Sequence, residues 1–138
     1  MQFRRLATTL AFTVFFCGAV QSGRAEEAPK DNKGYTTPKT ITIDLGAEIP
    51  EMKGWQLRLR QLNIEPGGHI GLHSHKDRPA VVIFHQGTDT VTNDDNSAKT
   101  FRAGDTTAEG VKTVHWHKNA GQDPIVIFTA DLVKIPAK

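Results

Sequence analysis

The 138-residue chain has a single cysteine, Cys17, and it lies inside an apolar stretch that opens at Leu6. Arg4 and Arg5 precede the stretch, and Gly23, Arg24 and Ala25 end it with small residues at the two positions a signal peptidase reads. Residues 1–25 therefore read as a secretory signal, and the chain as exported to the periplasm or the medium. The apolar run falls short of the roughly 20 residues a membrane span needs, so no stable anchor is expected after cleavage. Phe15 and Phe16 stand where a lipoprotein would carry small residues, which argues against lipidation at Cys17. Once the leader is gone the body has no thiol, hence no disulfide and no thiolate ligand. An excess of positive charge is missing as well. Arg4, Arg5 and Arg24 leave with the leader, so 14 of the 17 basic residues face all 15 acidic ones. With no basic cluster left, nucleic acid and anionic lipid are not expected partners.

Helical periodicity of useful length is also absent, and what takes its place is short alternation punctuated by turns. Residues 26–39 are polar, contain Pro29 and Pro38 and lack an apolar period, so they are expected to form a flexible N-terminal arm or an edge segment. Order is expected from Thr40, where residues 40–45 alternate strictly, and residues 46–54 turn the chain around Pro50 and Gly54. Trp55, Leu57 and Leu59 set an alternation that slips by one before Leu62 and Ile64, which predicts a bulge near Arg60 and Gln61. Residues 65–68, with Pro66, Gly67 and Gly68, predict a turn. Further strands are expected over 80–84, 88–92, 99–102, 113–116 and 125–133, with turn chemistry at residues 93–97, at Gly104 and Asp105, and at residues 119–121. The expectation is one all-β domain, residues 40–138, folded as a barrel or sandwich.

Four of the six histidines fall between Gly67 and Gly87. His73 and His75 are two apart, so on a strand both imidazoles stand on one face, the way a sheet presents a pair of metal ligands. The full pattern is Gly67, five residues, His73, one residue, His75, four residues, Ala80, six residues, Gly87. It resembles the first signature motif of the cupins. Gly104, Asp105, His115 and Asn119 resemble the second, with Gly110 where the family usually has proline and Lys112 where it usually has glycine. The resemblance spans about residues 54 to 133. It implies a single cupin domain, a double-stranded β-helix or jelly-roll barrel of short antiparallel strands, often paired as a homodimer. It also implies that His73, His75 and His115 hold a divalent metal (Fe, Mn, Ni, Cu or Zn). Ala80 occupies the position of the family's glutamate ligand and has no donor atom.

Two further residues are candidates for catalysis. His117 is two beyond His115 and shares its face, as a fourth ligand, a proton shuttle or a residue behind the ligands. Glu109 could supply the carboxylate missing at Ala80 or act as a general base, although the commoner fate of such a glutamate is an exposed turn. Asp77 and Arg78 lie between the histidine pair and Ala80, where they could hold an anionic substrate or each other. His69 has an uncertain face, His85 is expected outside the pocket, and Trp116 is expected to pack away from the histidines. Three-histidine sites among cupins resemble those of dioxygenases, so the resemblance implies a metal-dependent oxidoreductase acting on a small organic molecule. A non-catalytic barrel binding metal or a small ligand is the alternative.

Overall fold

A computed structural model describes residues 26–136; the secretory signal read in residues 1–25 lies outside them. Strand β1 (Lys33–Asp44) leads into a single helical turn, α1 (Leu45–Glu48), started by the Asp44 carboxylate, which accepts from the Gly46 amide at 3.0 Å. A short 3₁₀ turn over Pro50–Met52 follows, and then seven strands: β2 (Trp55–Ser74), β3 (Ala80–Gln86), β4 (Thr88–Asn93), β5 (Ala98–Arg102), β6 (Thr106–Glu109), β7 (Val114–Lys118) and β8 (Ile125–Lys134). All pairings are antiparallel, in the order β5-β4-β7-β2-β8-β3-β6, with β1 added to β2. The fold is all-β, as expected. Among the described residues no helix is long and apolar enough to cross a membrane.

The strands form one sheet curled into a nearly closed barrel, and one long strand runs through both of its halves. The first half of β2 pairs with β1 and β8, and its second half pairs with β7. Residues 65–68 are therefore a bend within a continuous strand, not the turn expected from Pro66, Gly67 and Gly68. Gly67 takes φ 73°, a conformation that favours glycine, and the bend is pinned to the end of β7. There the Gly67 amide donates to the Asn119 carbonyl and the Asn119 amide to the Gly68 carbonyl, both at 3.0 Å. The fully buried Asn119 side chain also donates to the Ile64 and Asp123 carbonyls, each at 2.9 Å, and so fastens the corner.

Two expectations about the N-terminal half are corrected. The strand begins at Lys33 rather than Thr40, because β2 offers an unpaired backbone edge along residues 56–69 that β1 fills. Ahead of β1 the chain is strapped to β2: the Leu72 amide donates to the Pro29 carbonyl at 2.7 Å and the Gly71 amide to the Asn32 side chain at 2.9 Å. The bulge expected near Arg60 and Gln61 is absent from β2, which pairs with β8 in unbroken register from Trp55 to Ile64. The irregularity sits opposite, in β1 between Thr36 and Lys39, around Pro38, which has no amide to give the ladder.

No bulge is needed because Leu57 and Leu59 face outward and Arg58 and Arg60 face in. Cross-strand rows define the interior. Arg58, Asp131, Ala80 and Glu109 form one row across β2, β8, β3 and β6; Arg60, Thr129, Val82 and Thr107 form the next; Leu62, Ile127 and Phe84 form a third. The apolar core of Leu62, Ile64, Ile70, Val82, Phe84, Val91, Phe101, Ile125 and Ile127 fills one end of the barrel, with Phe84 stacked on Phe101 at 4.4 Å. Burying these side chains at roughly 1.5–3 kcal/mol each supplies the stability that lets the other end carry charge.

Candidate metal centre

β2, β6 and β7 carry the polar end. Between Ile70 and His73 the pairing with β7 slips, so that three steps on β2 match two on β7. This bulge at Gly71 and Leu72 lets Ile70 and His73 both face inward. It turns His69 to the other side, where its Nε2 lies 3.8 Å from Asp31. A side chain at Gly71 would not fit, since its Cβ would stand 2.5 Å from the Asp31 carbonyl oxygen.

His73 pairs with His115 across the strands, and their Nε2 atoms are 3.2 Å apart; His75 Nε2 is 3.2 Å from the same His115 Nε2. The Nδ1 of His73 lies 2.8 Å from the Gly71 carbonyl and that of His75 lies 3.1 Å from the Arg78 carbonyl. A carbonyl only accepts, so both rings keep their proton on Nδ1 and turn the Nε2 lone pair towards His115. Burial lowers the pKa of His73 to about 4, of His75 to about 4 and of His115 to about 2. All three are neutral at pH 7, the state in which imidazole binds metal.

Glu109 corrects the expectation of an exposed turn. It ends β6, a four-residue strand not foreseen because Thr-Thr-Ala-Glu has no apolar alternation, and it is 6% exposed. β6 pairs with β3 so that Glu109 stands directly opposite Ala80. A carboxylate thus stands across the strand from the donorless Ala80. Its Oε2 is 3.2 Å from His75 Nε2 and its Oε1 3.7 Å from His115 Nε2. Burial raises its pKa, against the pull of His117, Arg78 and Arg60. Ala80 lies between Asp131 and Glu109 in its row, where a third carboxylate would be crowded by like charge.

Two overlapping triads have donor atoms all within 4.8 Å of one another: His73, His115 and His117, and His75, Glu109 and His115. His115 belongs to both, and His73 and His75 flank it rather than sharing a triad. His117 is buried, with its Nδ1 2.6 Å from a carboxylate oxygen of the fully buried Asp89. Burial alone would lower its pKa; the charge and hydrogen bond of Asp89 overcome this and raise it. A carboxylate behind an imidazole is the arrangement that orients a metal-binding histidine, and Asp89 had no motif to mark it in the sequence.

The triad of His75, His115 and Glu109 fits a divalent cation, and His73, on the other side of His115, belongs to the second triad. One proton on His115 can serve one of its neighbours, whereas the His75 Nε2 and the Glu109 carboxylate both present lone pairs beside it, and His73 Nε2 presents one from its other side. Donors about 2.1 Å from one ion stand roughly 3.0–3.4 Å apart, as the 3.2 Å contacts of His75 with His115 and with Glu109 do.

A small cavity of about 40 Å³ opens beside these residues, lined by His73, His75, His117 and Glu109 and by Tyr35, Arg60, Arg78 and Thr129, with Leu62, Ile70, Val82 and Ile127 as its apolar wall. Tyr35, Arg60 and Thr129 were not among the sequence candidates. Tyr35 is the chain's one tyrosine, and the period-2 reading of β2 had placed a bulge at Arg60 and Gln61. His85 lies outside, its ring set edge-on against Phe128 at 5.5 Å, and Trp116 is buried on the side of β7 away from the histidines.

A long strand shared by both halves of a curled antiparallel sheet, with histidines from two strands converging inside, defines a double-stranded β-helix with a candidate metal site. A family model described as "Cupin domain" matches residues 60–131, just over half of the chain, and the chain belongs to that family. It is 28% identical over 92 residues to "Auxin-binding protein ABP19b" of Prunus persica, a match covering 64% of this chain and 44% of that protein. The chain thus spans under half the length of that relative. Among solved structures it resembles a Klebsiella pneumoniae protein with a double-stranded β-helix domain (TM-score 0.51, 16% identity, 59% of this chain and 71% of that one). It also resembles a recombinant oxalate oxidase in complex with glycolate (TM-score 0.51, 19% identity, 73% of this chain and 55% of that one). At these identities the structural likeness is one of fold.

Proposed function

We propose that this chain is an exported cupin that holds a divalent metal ion with His73, His75, His115 and Glu109, and that the loaded protein is an oxidoreductase of dioxygenase type acting on a small organic molecule. The observation that carries the reading is the approach of two imidazole Nε2 atoms to the Nε2 of His115, each at 3.2 Å, with a buried carboxylate 3.2 Å from one of them. When bound, the ion supplies Lewis acidity and a place where substrate and oxygen meet. The chain's own residues do the rest. The carbonyls of Gly71 and Arg78 fix the tautomers of His73 and His75. Asp89 holds His117 by Nδ1, leaving its Nε2 to the cluster as a fourth ligand or a proton donor. The leader read in residues 1–25 supports export to the periplasm or the medium.

The test is elemental analysis of protein purified without chelators, beside a His73→Ala, His115→Ala double variant, followed by O₂ uptake with a panel of small organic acids, diketones and phenols. Near-stoichiometric iron, manganese, nickel, copper or zinc that disappears in the variant supports the site, and O₂ uptake supports the enzyme. No metal after reloading removes both. The small cavity favours a second reading, a metal- or ligand-binding barrel without turnover, which predicts metal retention with no uptake on any substrate of the panel.

The homodimer implied by the family resemblance has a candidate surface. Ile41, Ile43, Leu57, Leu59, Val81 and Ile83 are each between 38% and 66% exposed on the outer face of β1, β2 and β3, in rows continued across β8 by Phe128, Ala130 and Leu132. They leave on the order of 500 Å² of apolar surface uncovered, a large part of the ~800 Å² per partner of a standard interface. A second copy of this chain covers it in the proposed assembly. A monomer by light scattering, or a dimer unchanged by Leu59→Lys with Val81→Asp, would refute this.

A further inference from the structure

Three guanidinium groups surround one buried carboxylate at the rim of the metal-side cavity. Asp131, whose side chain is 0% exposed, accepts from Arg58 twice, Nε to Oδ1 at 2.9 Å and Nη2 to Oδ2 at 2.8 Å, and from Arg60 Nη2 to Oδ2 at 2.8 Å. Arg78 Nη1 is held further off, at 3.7 Å from Oδ2. Asp131 therefore meets three guanidinium groups with one negative charge, and Glu109, whose carboxyl burial pushes towards its neutral form, is the other carboxyl near Arg60 and Arg78. The Nε of Arg60 is buried with no hydrogen-bond partner, an N–H that native structures rarely leave unmade. Both Arg60 and Arg78 line the cavity shared by His73, His75 and Glu109. Arg78 also accepts from His75 Nδ1 through its carbonyl, so one residue fixes a ligand histidine and brings a cation to the cavity.

We infer that Arg60 and Arg78 form an anion subsite for the carboxylate of a small aliphatic acid, whose other end lies among the histidines. The inference rests on the metal reading only for what that other end meets. A planar carboxylate matches the guanidinium fork and gives both arginines a partner. A cavity of about 40 Å³ admits a group of a few heavy atoms. The apolar wall of Leu62, Ile70, Val82 and Ile127 suits a short alkyl chain.

The probe is lactate, with lactamide as its uncharged counterpart and inorganic phosphate as a competing anion, titrated calorimetrically into zinc-loaded and metal-free protein. Lactate is expected to bind at least 10-fold more tightly than lactamide and not to be displaced by equimolar phosphate. Arg60→Gln and Arg78→Gln should each weaken lactate about 10-fold or more with zinc content unchanged. Arg60→Gln leaves both Arg58 bonds on Asp131, and Arg78→Gln breaks none of the close ones, so melting curves establish that each variant is folded. Equal binding of lactate and lactamide, displacement by phosphate, or lactate affinity unchanged in both variants overturns the subsite. Zinc retained with no preference for charge would sink the subsite and leave the metal reading standing. Arginine-dependent lactate binding to protein that never takes up zinc would support the subsite and sink the metal reading.

Discussion

Removing the Glu109 carboxylate should weaken metal binding while leaving the metal-free barrel folded, and restoring a carboxylate at Ala80 should recover much of the loss. Glu109 is 6% exposed, and burial raises its pKa, so in the metal-free protein its charge is a burden to the fold. Glu109→Ala is therefore expected to change metal-free stability by no more than about 1 kcal/mol. With metal present the same group sits 3.2 Å from His75 Nε2, close enough to share an ion with it. Loss of outer partners of metal ligands costs 10–100-fold in affinity, and loss of a direct anionic ligand should cost at least that, about 1.4–2.8 kcal/mol. Ala80 faces Glu109 across β3 and β6, so Ala80→Glu in the Glu109→Ala background puts a carboxylate back from the opposite strand. The assay is zinc titration against a competing chelator, paired with melting temperature with and without zinc, where stabilisation follows RT ln(1 + [L]/Kd). Zinc affinity in Glu109→Ala within twofold of wild type would refute the assignment of Glu109. A double variant no better than the single would refute the cross-strand equivalence.

Other perturbations test the charged interior and its supports. Asp131→Ala removes the carboxylate that Arg58 and Arg60 hydrogen-bond and should cost about 3–5 kcal/mol, read as a lower urea midpoint; a loss under 1 kcal/mol contradicts the ion-pair account. Metal-free protein should lose stability as pH falls from about 6.5 towards 4. In that window His73, His75 and His115 take protons in the unfolded chain but not in the folded one, where burial depresses them. Each contributes up to about 1.4 kcal/mol per pH unit, partly offset by Glu109, which takes up its proton early in the folded state. Urea midpoints at pH 7 and pH 5 that coincide would contradict this. Gly71→Ala drives a Cβ to 2.5 Å from the Asp31 carbonyl and should cost about 1–3 kcal/mol while lowering metal retention, since the displaced bulge carries His73.

The architecture was legible from period-2 alternation and two spaced motifs, and so were the inward faces of His73, His75, His115 and His117. The reading failed where the inner face is charged. Along β2 the leucines at 57 and 59 looked like core, and a bulge was invoked to reconcile them with Leu62 and Ile64. In fact Arg58 and Arg60 point in because Asp131, 71 to 73 residues away in sequence, compensates them there, and no local pattern records a partner so distant. Glu109 was misjudged for a related reason. Its neighbours Thr106, Thr107 and Ala108 form a strand only because the β3 edge is available to pair with, so tertiary pairing rather than propensity decides the element. His69 was ambiguous because the bulge that turns it away depends on the register with β7.

One covalent ribbon carries both Arg60 and His73, with the bend at Gly67 between them and no loop intervening. The spacing from the cationic rim to the histidine cluster is therefore set by chain length and a single dihedral change, not by a segment free to open and close. In the proposed acid-binding site this ribbon would act as a fixed caliper, selecting molecules by the distance between their two ends, and lengthening the reach would require reshaping the bend that also joins the two halves of the sheet.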